Sequence, residues 1–249
     1  MSFASKVVIV TGASSGIGAA TAVLFTKESA DVVIVGRNES KLKNVADKCA
    51  LSGNTPFVIN ADVSNDDDAK RIVNETIDKF GKIDVLVNNA GLFHAGSIIE
   101  NNILEAYDKV MAVNLRAVVH LTAVAAPHII KTKGNIVNVS SNAGKTHSLP
   151  EFIAYNVSKA ALDHFTRGAA LELASSGVRV NGVSPGPVKT DFIENNAMAD
   201  VSWDKMAPLV PLKRVSEPEE IAELILYLAS EKAKGVTGSD FICDNGGLL

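Results

Sequence analysis

Short β-branched runs alternate with longer amphipathic stretches along almost the whole of this 249-residue chain, and few folds accommodate that rhythm. Strands are predicted at Lys6–Thr11, Asp31–Val35, Thr55–Asn60, Val85–Asn88, Asn135–Val139, Arg179–Val183 and Asp240–Cys243. Most of these runs lack polar alternation, as strands do when helices cover both faces of their sheet. Between them the period changes to that of helices, at Gly18–Glu28, Lys41–Cys49, Asp66–Phe80, Leu104–Thr132, Tyr155–Ala174 and Pro218–Leu228. Pro127 lies inside the fourth of these, and the last turn there is expected to be distorted or to end near it. The fold class that follows is α/β, a doubly wound parallel sheet forming a single domain over residues 1–249. The stretch from Pro185 to Pro211 has no clean period, holds four of the eight prolines and carries the only tryptophan, Trp203. It is expected to be a loop or a set of short helices covering a substrate pocket.

Composition narrows the function from the other side. With 47% hydrophobic and 21% charged residues the chain has an ample interior, and a net charge of −4 offers no broad attraction to nucleic acid or an anionic membrane. No run reaches the ~18 uninterrupted apolar residues of a membrane helix. The apolar stretch Val7–Val10 is too short for a signal-peptide core, so a cytoplasmic location is expected. Cys49 and Cys243 stand far apart, outside any CxxC arrangement, and read as reduced structural residues. The five histidines, His94, His120, His128, His147 and His164, show no metal-binding spacing, so no metal is expected.

The first strand runs into Thr11-Gly12-Ala13-Ser14-Ser15-Gly16-Ile17-Gly18 and then directly into a helix. Glycines in that position let the backbone approach a phosphate, and the free N–H groups at the helix start favour negative charge. The spacing differs from GxGxxG, but the order of strand, glycine-rich turn and helix is the Rossmann-like context for a dinucleotide. After the second strand comes Gly36-Arg37-Asn38, with no carboxylate to accept from a ribose diol. Arg37 offers a planar fork of donors to a ribose phosphate instead, with Ser14 as a neighbour, which points to NADP(H). Asp62-Val63 follows the third strand, where the carboxylate either accepts from an adenine amino group or caps the next turn. Asn88-Asn89-Ala90-Gly91 follows the fourth, with small residues over which a cofactor passes and amides able to bridge loops. All of these clusters fall at the carboxyl ends of strands, where open α/β sheets place ligands.

Tyr155 and Lys159 stand four positions apart on one helix face, where the lysine charge is expected to favour tyrosinate and lower the phenol pKa. Ser140 and Ser141 both follow a strand, and on chemical grounds either hydroxyl can hold a substrate oxygen. Asn114 lies within the long helix, where an amide is a middling helix former able to interrupt the backbone ladder and to organise a water beside the lysine.

Taken in order, these segments, together with Asn138-Val139-Ser140-Ser141, Tyr155-Asn156-Val157-Ser158-Lys159 and Pro185-Gly186, resemble the classical short-chain dehydrogenase/reductase family over nearly the whole chain. The resemblance implies a catalytic tetrad of Asn114, Ser141, Tyr155 and Lys159. It selects Ser141, which stands three positions before Gly144. Tyr155 would be the acid or base, Lys159 would also bind the nicotinamide ribose, and Asn114 would hold the water of a proton relay. Family position assigns Gly12, Ser14, Ile17, Arg37, Asp62, Val63, Asn89 and Val188 to the cofactor, with Thr190 near the carboxamide. Adjoining Ser15, Gly16, Gly18, Gly91, Pro185 and Gly186 complete that set. The resemblance further implies a small carbonyl or alcohol substrate and a homotetramer. Two departures stand out. Ser141 and Tyr155 are fourteen positions apart, one more than is frequent in the family, so the loop between them is expected to bulge beside the substrate. Asn245 interrupts the family's Asp-Gly-Gly ending near the C-terminus, which bears on local subunit packing.

The leading expectation is therefore an NADP(H)-dependent oxidoreductase interconverting a carbonyl and its alcohol. An NAD-dependent alcohol dehydrogenase is the alternative in the same class, and a noncatalytic dinucleotide-binding scaffold the alternative outside it. A scaffold has no need of all four tetrad residues. Phe93, Leu149, Phe152, Phe192, Met198 and Trp203, with His94 and His147, are candidates to line an apolar substrate pocket.

Overall fold

A computed structural model describes residues 2–146, 149–195 and 202–249. The strands are β1 (Val7–Thr11), β2 (Asp31–Gly36), β3 (Phe57–Asn60), β4 (Val85–Asn88), β5 (Asn135–Val139), β6 (Arg179–Pro185) and β7 (Asp240–Cys243). They form one seven-stranded sheet in the order β3-β2-β1-β4-β5-β6-β7, and every pairing is parallel. The helices are α1 (Gly16–Lys27), α2 (Glu39–Ser52), α3 (Asp66–Phe80), α4 (Ile103–Met111), α5 (Ala117–Thr132), α6 (Ile153–Leu173), α7 (Phe192–Asn195), α8 (Trp203–Met206) and α9 (Pro218–Ala229).

The strand residues sort by parity, because successive side chains point to opposite faces. Val8, Val10, Val32 and Ile34 enter one core with Phe25, Leu42, Ile221 and Ile225, drawn from α1, α2 and α9. Ile9, Val33 and Val35 enter the other with Ile72, Leu121, Ile129 and Leu173, drawn from α3, α5 and α6. Both faces are therefore dry, which is why the runs read as continuous apolar segments. The two edge strands are the exceptions: in β3 Val58 and Asn60 are exposed and the strand begins two residues later than predicted, and in β7 Ile242 is exposed and the other residues are half-buried.

Pro127 does not end its helix. α5 continues through it to Thr132, with Ala125 and Ile129 buried on either side. The ring and Ala123, whose carbonyl loses its helical donor, both lie on the exposed face, so the missing bond leaves no carbonyl stranded in the core. The interruption comes earlier, where Ala112–Arg116 forms one π-helical turn between α4 and α5 around Asn114. By length and composition the 30-residue stretch Ile103–Thr132 suffices to cross a bilayer, yet here one side of it lies against the sheet as a core helix. Within Pro185–Pro211 the described residues form the short helices α7 and α8. Asn245 adopts a left-handed conformation (φ 57°) and donates from Nδ2 to Ser216 Oγ at 2.9 Å, which ties the chain end to the loop before α9. Both cysteines are free, Cys49 buried and Cys243 half-buried.

Candidate active site

The chain winds outward from β1 through β2 to β3, then returns to place β4 on the other side of β1. Connections leave these central strands in opposite directions, so a crevice opens at their carboxyl ends. The glycine-rich turn fills one side of it. Gly12 and Gly16 adopt positive φ (64° and 53°), and a Cβ on Gly12 would stand 2.8 Å from Ala90 Cα. A Cβ on Gly18 would strike the Gly12 carbonyl and Asn89 Nδ2, so the start of α1 sits directly on the turn.

The N-terminus of α1 is left open. Ser15 occupies the cap position without a side-chain hydrogen bond, and no acidic residue falls in the first turn. Side chains close the starts of α3, where Asn65 accepts from Asp67 and Asp68, and of α9, where Glu217 and Glu220 form a capping box, whereas α4, α6 and α8 begin without a side-chain cap as α1 does. Uncapped donors beside a turn that tolerates no side chain fit a dinucleotide pyrophosphate. Asn89 braces this cradle, donating from Nδ2 to the carbonyls of Thr11 (2.9 Å) and Gly12 (3.2 Å). Thr11 Oγ1 accepts from the backbone N–H of Asn89 and Ala90 and donates to Val87 O. That bracing hydroxyl was not singled out from sequence, because a threonine ending a strand carries no signal of its partners.

Gly36 packs against Ser14, whose Oγ would be 3.4 Å from an added Cβ. Arg37 projects outward with its side chain 70% exposed, and Nη1 lies 3.5 Å from Asp62 Oδ2. The Gly36-Arg37-Asn38 segment itself holds no acid; the tertiary fold brings one to Arg37 from just past β3. Of the two readings of Asp62, the structure displays the turn: Oδ1 accepts from Ser64 N (2.9 Å) and Ser64 Oγ (2.7 Å). Against the cost of burial, those bonds and Arg37 leave its carboxyl below the usual range. Val63 and Ile17 pack against the two cores. On the far side, Pro185 ends β6, Gly186 donates to Cys243 O, and Val188 is buried and bridges to Ser216. Thr190 lays its methyl over Gly16 and accepts from Phe192 N at 3.2 Å.

The second half of the crevice holds the tetrad candidates, and the structure brings all four together. Ser141 hydrogen-bonds the Tyr155 phenol. Ser140 is turned away into the protein, buried and donating to Lys159 O at 3.2 Å, so geometry separates the two serines that chemistry left equivalent. Lys159 Nζ donates to Val139 O at 2.9 Å and stands 5.6 Å from the centre of the Tyr155 ring. Asn114 is fully buried, exchanging both its amide functions with Leu92: Oδ1 accepts from Leu92 N at 2.7 Å, and Nδ2 donates to Leu92 O at 2.9 Å and Ser158 Oγ at 3.0 Å. Asn114 Oδ1 and Lys159 Nζ both border Gly91, each 3.8 Å from the point where a Cβ would stand.

The electrostatics differ from expectation. Burial pushes the Tyr155 phenol up to about 12, with only the Ser141 bond working against it. Lys159 is pulled down to about 8 by its own burial, against the upward pull of Asp163. Desolvation is thus the larger influence on the phenol, and the Lys159 ammonium is held by the Val139 carbonyl.

Three phenylalanines surround the phenol: Phe93 and Phe152 lie with ring centres 6.2 Å from Tyr155, and Phe192 at 5.9 Å. Leu149 is exposed and Trp203 half-buried on α8, while His147 and Met198 lie outside the described residues. Between Ser141 and Tyr155 the described residues form two 3₁₀ turns, Asn142–Gly144 and Pro150–Phe152, and residues 147 and 148 of the expected bulge lie outside the described residues. Among the described residues no group of three or more His, Cys, Asp or Glu is arranged to hold a metal ion.

A family model described as Enoyl-(Acyl carrier protein) reductase matches residues 12–247. The 3-oxoacyl-(acyl-carrier-protein) reductase FabG of Thermotoga maritima is 37% identical, covering 99% of either chain. The glucose 1-dehydrogenase of Gluconobacter oxydans is 38% identical over 98% of this chain and 92% of its own. A crystal structure with cofactor of a short-chain dehydrogenase/reductase of unknown function from Caenorhabditis elegans superimposes with a TM-score of 0.92 at 37% identity, covering 99% of this chain and 96% of its own. The chain thus belongs to the short-chain dehydrogenase/reductase family, in its classical form, and is an oxidoreductase of that nicotinamide-dinucleotide-binding family.

Proposed function

We propose that this protein is an NADP(H)-dependent reductase that interconverts a carbonyl compound and its alcohol, with Tyr155 as the general acid or base. The observation that carries the reading is the convergence of Ser141, Tyr155, Lys159 and Asn114 at the carboxyl ends of β4 and β5, beside an uncapped helix start. When bound, the dinucleotide supplies hydride to the carbonyl carbon or accepts it from the alcohol carbon. Gly12, Ser14, Ser15, Gly16, Ile17 and Gly18 would hold its phosphates and adenosine side, with Asp62, Val63, Asn89 and Gly91 along its length. Pro185, Gly186, Val188 and Thr190 would close over its nicotinamide end.

In reduction, Ser141 holds the substrate oxygen and Tyr155 delivers its phenolic proton to that oxygen as the carbon–oxygen double bond becomes single. Burial keeps the phenol protonated at neutral pH, so it carries the proton that this step transfers. The Lys159 ammonium then faces the phenolate left behind, and Asn114, which also borders Gly91, positions the water that returns a proton. Oxidation of the alcohol runs through the same groups in reverse. Phe93, Phe152 and Phe192 make the surroundings of the reacting oxygen apolar, which favours a ketone or acyl-type carbonyl over a sugar.

Cofactor choice follows from Gly36 and Arg37. No carboxylate stands at position 36 to accept from a ribose diol, and Arg37 is exposed enough to turn from Asp62 to a ribose phosphate. The outer faces of the long helices carry uncovered apolar side chains, among them Leu104 and Tyr107 on α4, Val119 and Ile130 on α5, and Val157 and Leu171 on α6. Such faces support a homotetramer.

The deciding experiment replaces Tyr155 by Phe and assays a panel of ketones and acyl carbonyls by NADPH absorbance. The variant is expected to bind NADPH as the parent does and to lose about 100-fold to 10,000-fold in turnover. Parent-like turnover would remove Tyr155 from its role.

A further inference from the structure

The turn that follows β7 touches both halves of the crevice. Asp244 and Asn245, its first two residues, are 6% and 8% exposed although β7 is an edge strand. Asn245 takes a left-handed conformation, and its Nδ2 donates to Ser216 Oγ at 2.9 Å. No step of the proposed chemistry uses either residue.

Ser216 is the rung on which the loop at the nicotinamide end is held. It is 1% exposed, its N–H donates to Pro187 O at 3.1 Å, and its carbonyl accepts from Lys189 N at 2.9 Å, so that it pairs with Val188 as a short parallel bridge. Thr190, one residue further on, lays its methyl over Gly16. Both ends of the bond between Asn245 and Ser216 are buried, so water does not make good its loss. Asp244 reaches the other half of the crevice. Its Oδ2 accepts from Asn142 Nδ2 at 3.3 Å, and its Oδ1 accepts from Gly246 N at 3.0 Å, which fixes the carboxylate. Asn142 directly follows Ser141, whose Oγ accepts from Ala143 N at 3.1 Å in the same 3₁₀ turn. Gly186 is seated on Asp244 as well: an added Cβ would stand 2.7 Å from Asp244 Cβ. Two adjacent side chains thus hold, through separate bonds, the loop at the nicotinamide end and the turn that presents Ser141.

We propose that Asn245 and Asp244 are positioning residues of this site: Asn245 sets residues 187–190 through Ser216, and Asp244 sets the Ser141 turn through Asn142. The inference rests on the roles given above to Val188, Thr190 and Ser141. A turn that served only stability would weaken every property of the enzyme together when altered. A turn that positions two loops separately divides the effects, so that one residue is felt in dinucleotide binding and its neighbour in turnover.

Asn245→Gly removes the amide and keeps the left-handed backbone accessible. Ser216→Ala removes the same bond from its other end and leaves the backbone rungs in place. Asp244→Ala removes the carboxylate but keeps the Cβ on which Gly186 is seated. In Asn245→Gly and in Ser216→Ala the Kd for NADPH and for NADH is expected to rise about fivefold, equally because the loop serves the end common to both, with kcat within about twofold of the parent. The double variant is expected to lose no more than either single one, since both remove one bond. In Asp244→Ala kcat is expected to fall about tenfold through a displaced Ser141, with both Kd values within about twofold. Amide hydrogen exchange in the cofactor-free protein is expected to quicken at Lys189 in the first two variants and at Ala143 in Asp244→Ala. Unchanged Kd values in Asn245→Gly and Ser216→Ala, or the same joint loss of binding and turnover in all three variants, would overturn the proposal. So would exchange that quickens equally at Lys189 and Ala143 whichever residue is replaced. The exchange measurement needs neither cofactor nor turnover, so this failure is distinct from a failure of the proposed function.

Discussion

Replacing Asn114 by alanine tests the link between the π-helical turn and the site most directly. The carboxamide makes three buried or partly buried hydrogen bonds, two with the backbone of Leu92 and one with Ser158 Oγ. A net ~1 kcal/mol for each gives an upper figure of about 3 kcal/mol. Leu92 is only half-buried, so water restores part of what its backbone loses, and Ser158 keeps its bond to Tyr155 O at 2.7 Å. The expected destabilisation is therefore about 2 kcal/mol. For a chain of this size that lowers the thermal midpoint by roughly 4–8 °C. Calorimetry reads the midpoint, and amide hydrogen exchange reads the local effect, since the Leu92 N–H loses its acceptor and is expected to exchange faster than its neighbours. A midpoint within about 1 °C of the parent, with Leu92 exchange unchanged, would refute the reasoning. It would mean that the π turn stands without the side chain it encloses.

Two further outcomes follow from the surface of the same fold. Arg37→Ala is expected to weaken NADPH binding about tenfold and leave NADH within about twofold, at the lower end for a charge-assisted contact, because an exposed guanidinium must leave Asp62 to make it. Calorimetric titration checks this: equal loss for both cofactors would place the arginine against adenine, and tighter NADH binding by the parent would sink the preference. Light scattering is expected to find a tetramer, since the apolar faces of α4, α5 and α6 otherwise meet water; a species of 26.2 kDa at working concentration would refute it.

Chain order, number and kind of the sheet elements were legible in the sequence, because a strand covered on both faces is largely apolar without polar alternation and a helix between strands must repeat with its own period. The glycine-rich turn was legible for a similar reason: Gly12 and Gly16 occupy backbone conformations that other residues resist, and a requirement of that kind is written in the residue itself. Tyr155 and Lys159 could be paired because the helix that carries both is local. Pro127 was misread since its effect depends on which face of the helix meets water, and only packing decides that. The same limit applies to Ser140 and Ser141, adjacent residues sent in opposite directions by the end of β5. Asp62 meets Arg37 across 25 positions, past the ends of the neighbouring strands β3 and β2, and Asp240 on β7 meets Lys145 across 95, beyond the end of β5 two strands away. The direction of the Tyr155 pKa had to wait for the structure too, since it is set by how much water the surrounding fold removes. Local backbone geometry and periodicity are properties of short segments, and sequence determines them; burial and long-range pairing are properties of the assembled layers, and tertiary structure alone decided them.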